Sequence, residues 1–62
     1  MDIDMDVNIL LSVVNTKLRN HYDSLEDLCK TEDIDENDVT KKLQKAGYKY
    51  DSTRNQFIII DN

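Results

Sequence analysis

Ser24-Leu25-Glu26-Asp27, Ile34-Asp35-Glu36-Asn37-Asp38-Val39 and Gly47-Tyr48-Lys49-Tyr50-Asp51-Ser52-Thr53-Arg54-Asn55-Gln56-Phe57 decide how this chain folds. Ser24 with an acid three residues on resembles a capping box and opens a short helix, predicted over about residues 25–31. Asp35 caps the next, predicted over about 36–46. Ile34 stands just before that cap and Val39 at the fourth helical position, the pair that forms a hydrophobic staple. Val39, Leu43 and Ala46 continue the apolar face. Gly47 can take the left-handed conformation that ends a helix, and Tyr48 behind it can close the ending on Leu43.

After Gly47 the apolar period changes from about 3.6 to 2, and Ser52 to Asn55 supplies turn chemistry, so a hairpin over about 48–60 follows. A loop over 52–55 sets Asp51 opposite Gln56, Tyr50 opposite Phe57 and Tyr48 opposite Ile59. That register gathers the aromatics on one face and sends Ile58, with Ile60, to the other.

Working outward, Asp6 can cap a first helix predicted over about 7–22, because Leu10, Leu11, Val14 and Leu18 recur at three and four. Val7 precedes this stripe and Tyr22 follows it; Asn15 sits at its edge. Lys17, Arg19 and His21 occupy its last turns, where positive charge suits the carbonyl end of the helix dipole. The expected fold is one mainly α domain: a three-helix, helix-turn-helix core with a C-terminal two-stranded hairpin, winged-helix-like. Its expected core is Leu10, Leu11, Val14, Leu18, Leu25, Leu28, Val39, Leu43, Ala46, Tyr48, Tyr50, Phe57 and Ile59.

Composition sets bounds on function. A chain of 62 residues holds a single domain that buries only about 60% of its unfolded surface. Its longest apolar run, Phe57 to Ile60, is far short of the ~20 residues of a membrane span. The opening Met-Asp-Ile-Asp-Met-Asp is the reverse of a basic signal peptide, and the single Cys29 suits a reducing compartment, so a cytoplasmic setting is expected. Cys29 reads as a small buried apolar side chain rather than a reactive thiol.

The residues argue against catalysis, cofactors and metals. One His and one Cys do not build an ordinary zinc site, and a single glycine excludes a glycine-rich phosphate loop. Ser12 and His21 are roughly 13 Å apart along one helix, beyond hydrogen-bond reach. Asp33-x-Asp35-x-Asn37 begins like a calcium loop, but Asp38 and Gln44 stand where Gly and Glu are required.

Charge is the feature that bears on a nucleic-acid partner. The net charge of −5 divides into −8 over residues 1–38 and +3 over residues 39–62. Lys41, Lys42 and Lys45 fall on the third helix, and Lys49 and Arg54 on the hairpin. In a winged-helix protein these positions would face nucleic acid. Against that, Glu36 and Asp38 occupy the start of the helix, where base-reading residues belong. A solvated lysine face is the simpler reading. The strand Ile58–Ile60 with apolar groups on both faces, beside an open edge, favours a protein partner or self-association. No small-molecule ligand is implied.

Four blocks also carry a resemblance. They are Leu10-Leu11-Ser12-Val13-Val14-Asn15-Thr16-Lys17-Leu18-Arg19, Ser24-Leu25 through Leu28-Cys29, Gly47-Tyr48-x-Tyr50-Asp51, and Asn55-Gln56-Phe57. Together they resemble a family of short bacterial proteins catalogued only as a domain of unknown function. The resemblance covers residues 7–58 and implies a freestanding small bacterial protein. Family members often carry a Pro before the first helix; this chain has none and relies on Asp6. No functional residue follows from the likeness.

Overall fold

The computed structural model describes residues 1–60. Three helices, α1 (Val7–Asn20), α2 (Leu25–Glu32) and α3 (Glu36–Lys45), are followed by strands β1 (Tyr48–Asp51) and β2 (Gln56–Ile59). The strands pair antiparallel in the register read from the aromatic pattern, with Tyr48 opposite Ile59, Lys49 opposite Ile58, Tyr50 opposite Phe57 and Asp51 opposite Gln56.

Each helix starts on the expected cap. Asp6 accepts from the Asn8 N–H at 3.1 Å, Ser24 from Asp27 at 3.1 Å, and Asp35 from Asn37 at 2.8 Å. These bonds satisfy backbone donors that the first turn of a helix leaves free. The endings differ. α1 stops at Asn20, earlier than the stripe suggested: the His21 N–H still makes the helical bond to the Lys17 carbonyl at 2.8 Å, but the Tyr22 N–H shares that oxygen at 3.2 Å instead of reaching Leu18. Asp33 ends α2 in the left-handed conformation at φ 57°, a role that falls to Gly47 after α3 at φ 94°. No atom lies within 4 Å of the place a Cβ would take at Gly47, so its φ alone makes glycine the fitting residue.

Nine side chains form the core: Leu10, Val14, Leu18, Leu25, Leu28, Cys29, Val39, Leu43 and Phe57. Leu11, Tyr48, Tyr50 and Ile34 are half-buried against it. Two expected core residues lie outside. Ala46 is exposed because it is the C-cap, where the chain is already leaving the helix. Ile59 lies on the aromatic face of the hairpin, yet exposure climbs from 3% at Phe57 to 65% at Ile59. On β2 the covered part of that face therefore ends at Phe57, whose ring lies 5.6 Å from that of Tyr50, while Tyr48 on β1 is still half-buried against the core.

Residues 1–6 add an element that helix periodicity does not reveal. Met1, Ile3 and Met5 are half-buried against the core while Asp2, Asp4 and Asp6 are exposed, so the segment lies across the helices as a strap. Lys42 holds it, donating to the carbonyls of Ile3 at 2.6 Å and Met5 at 2.7 Å.

A two-stranded hairpin is marginal alone in water, so the burial of Phe57 measures how the sheet is held. Phe57→Ala is expected to lower unfolding stability by ~3–5 kcal/mol in urea melts. A loss under about 1 kcal/mol would mean that the ring is not part of the core.

Candidate functional site

The five basic residues do not form one free surface. The ammonium of Lys42 is committed to the strap carbonyls. Arg54 lies 3.8 Å from the Asp51 carboxylate across the hairpin turn. Lys41, Lys45 and Lys49 are exposed, and none of the three makes an ion pair among the described residues. At the other end of α3, Glu36 and Asp38 are exposed beside the capping carboxylate of Asp35. The start of α3 thus presents negative charge, and its lysines sit toward the hairpin.

The sheet edges are unequal. On β2, the Phe57 N–H donates to Asn15 Oδ1 at 2.7 Å, and the Phe57 carbonyl accepts from Asn15 Nδ2 at 3.0 Å. One carboxamide on α1 therefore occupies the outward backbone pair at the middle of this strand, as a neighbouring strand would. Gln56 adds a bond from Nε2 to the Asn15 carbonyl at 2.9 Å. Antiparallel strands turn alternate residues inward and outward, so Ile58 and Ile60 have their backbone groups on the β1 side. The Ile60 N–H accordingly donates to the Gly47 carbonyl at 2.7 Å. Both side chains are half-buried, and the exposed isoleucine of this strand is Ile59. The edge expected open beside Ile58 and Ile60 is occupied by Asn15 at Phe57, and the outward backbone groups of Ile59 receive no hydrogen bond from another element among the described residues.

The opposite edge belongs to β1. The same alternation turns the N–H and C=O groups of Tyr48 and Tyr50 away from β2. Among the described residues they receive no hydrogen bond from another element.

Around the hairpin turn, polar side chains complete the docking. Asn55, itself left-handed at φ 54°, donates through Nδ2 to the carbonyls of Leu18 at 3.0 Å and Tyr22 at 2.8 Å. The Leu18 carbonyl is in the last turn of α1 and has no partner in the helix, and that of Tyr22 lies just beyond the helix end. Its Oδ1 accepts from the Tyr50 hydroxyl at 2.6 Å, and that hydroxyl accepts from the Leu25 N–H at 3.3 Å. Asn15, Tyr50, Asn55 and Gln56 form one bracket joining α1, α2 and both strands of the hairpin. Every buried side-chain nitrogen and oxygen among the described residues has a partner, so none is left waiting for a ligand.

A smaller cluster joins α1 to α2. Glu32 accepts from the Tyr22 hydroxyl at 2.7 Å and meets Lys17 at 3.5 Å. The Tyr22 hydrogen bond, with the Lys17 charge assisting, holds this carboxyl below the usual range, and the same bond raises the Tyr22 phenol. Burial, with the charges of Glu36 and Asp35 adding to it, pushes the Cys29 thiol up to about 11, a value that suits an inert core side chain. Ser12 lies near the middle of α1 and His21 is the cap at its C-terminal end.

Residues 4–57 match the model of a family described as "Domain of unknown function (DUF4250)". The chain belongs to that family. No curated protein and no solved structure matches it. The matched span contains the whole bracket, from Asn15 to Phe57.

The lowered Glu32 carboxyl contributes stability that is present above the ordinary carboxylate range and lost as pH falls through its folded value. Tyr22→Phe removes the largest cause of that lowering. The variant is expected to lose less stability than the wild type between about pH 5 and about pH 2 in urea melts. Identical acid profiles would remove the Tyr22–Glu32 bond from the account.

Proposed function

We propose that this chain is a cytoplasmic, non-catalytic protein-interaction module that works through its hairpin. The observation that carries the reading is the hairpin's asymmetry. Asn15 occupies the β2 edge at Phe57, while the β1 edge keeps outward backbone groups at both Tyr48 and Tyr50, with Ile59 65% exposed beside Tyr48. Unpaired edges and exposed apolar side chains are the features through which small sheets meet other chains. Ile9, the other exposed large apolar side chain, lies about 120° round α1 from Asn15 and so on a different flank.

Ile59→Lys tests the reading, because an exposed strand end tolerates lysine without loss of fold. Wild-type protein is expected to self-associate, by light scattering, or to retain a defined partner from its own cell extract. The lysine variant is expected to lose most of that binding while its melting curve stays in place. A wild type that stays monomeric and retains nothing the variant lacks would overturn the reading.

Winged-helix-like DNA binding is a second reading, favoured by exposed Lys41, Lys45 and Lys49 and compatible with three helices followed by a hairpin. It requires duplex binding that weakens steeply with salt. The acidic start of α3 and the net charge of −5 count against it.

A further inference from the structure

The outward groups of β1 restrict how a second strand can join it. Residues 48 and 50 point their N–H and C=O groups away from β2. An antiparallel neighbour must pair outward residue with outward residue. If the neighbour is β1 of a second copy, the two-fold axis can pass beside Tyr48, Lys49, Tyr50 or Asp51.

Charge separates these registers. An axis at Lys49 sets Lys49 directly opposite Lys49 of the other copy, and an axis at Asp51 does the same with two aspartates. Like charges directly opposite are destabilising. An axis at Tyr48 sets Lys49 opposite Gly47, so it brings no opposite charges together within the strands. Only the axis at Tyr50 places Lys49 opposite Asp51, and it does so twice by symmetry. Both side chains then lie on the sheet face away from the tyrosines, at a pair that makes no backbone bond, where side chains approach most closely.

Each group is open to this use. Lys49 is exposed and makes no ion pair among the described residues. Asp51 Oδ1 accepts the N–H groups of Thr53 at 2.9 Å and Arg54 at 3.4 Å, while Oδ2 faces Arg54 at 3.8 Å. A carboxylate has lone pairs for a further cation beyond these.

We propose that this chain forms a two-fold dimer by antiparallel pairing of β1 with β1 of a second copy, centred on Tyr50, with reciprocal Lys49–Asp51 ion pairs. The two hairpins join into one four-stranded sheet in the order β2-β1-β1-β2, a closed isologous arrangement with no further free β1 edge. The proposal rests on the interaction reading and names its occupant. An interface of one short strand pair is small, which places this dimer among weak, reversible ones.

Amide hydrogen exchange followed by NMR on the intact chain, from micromolar to millimolar concentration, tests it. Protection of the Tyr50 N–H is expected to rise with concentration, in step with dimer mass by sedimentation. The Lys49 N–H, already bonded within the hairpin, should not follow. Lys49→Asp sets two acids opposite each other and is expected to weaken the dimer roughly tenfold or more, with the circular dichroism unchanged. Association that leaves the Tyr48 and Tyr50 amides unprotected, and that Ile59→Lys abolishes, would overturn the β1 pairing and leave the interaction reading standing. A chain that is monomeric up to millimolar concentration would overturn the pairing as well.

Discussion

The fold depends on one carboxamide. Asn15 stands at the edge of the apolar stripe of α1 and makes both bonds that a third strand would have made to Phe57. Four residues per strand are too few for a hairpin to hold itself in water. Burial of the Phe57 ring supplies the non-directional attraction, but an apolar ring alone does not choose a register. The paired bonds to the Phe57 backbone do, because a slip of one residue would bring the inward-facing groups of Ile58 or Gln56 to Asn15. Asn55 and Gln56 repeat the device on the carbonyls of Asn15, Leu18 and Tyr22. Helix and hairpin are thereby fixed as one unit in a domain whose core has only nine buried side chains among the described residues.

This constraint shapes what the surface offers. Occupying β2 at Phe57 leaves β1 as the edge with both outward positions open, at Tyr48 and Tyr50, so asymmetry between the edges is a consequence of how the hairpin is held. The lysines divide in the same way: Lys42 is used internally to hold the strap, and Lys41, Lys45 and Lys49 remain at the surface. The membership of this chain in its family is carried over a span that includes the bracket, and Asn55-Gln56-Phe57 has a structural task in each of its three residues.

Much of the architecture was legible because local signals agreed. Asp6, Ser24 and Asp35 cap where caps were expected, Gly47 ends α3, and the aromatic pattern sets the hairpin register. Periodicity was less informative about depth. It placed Ile59 with Phe57, but a face read from alternation has no stated end, and the helices cover it only as far as Phe57. Asn15 was visible only as a polar residue beside the stripe, since the partner it needs lies 42 positions away and the bond is to backbone, which has no residue-type signature. A pair of amide residues beside a core aromatic, Asn55-Gln56-Phe57, was the available hint. The strap carried a clearer one in the strict alternation Met1-Asp2-Ile3-Asp4-Met5-Asp6, a one-sided apolar pattern that asks for an apolar surface to lie on.

The most direct test of this account is hydrogen exchange at the Phe57 amide, in the wild type and in Asn15→Ala. If Asn15 docks the hairpin, the wild-type Phe57 N–H exchanges only through global unfolding, at the same free energy as the amides of Val14 and Leu18 in the middle of α1. In Asn15→Ala it should exchange far faster, by local opening of the hairpin, while the helical amides keep the free energy of global unfolding. A Phe57 N–H that already exchanges by local fraying in the wild type, or one unmoved by the substitution, would contradict the central claim.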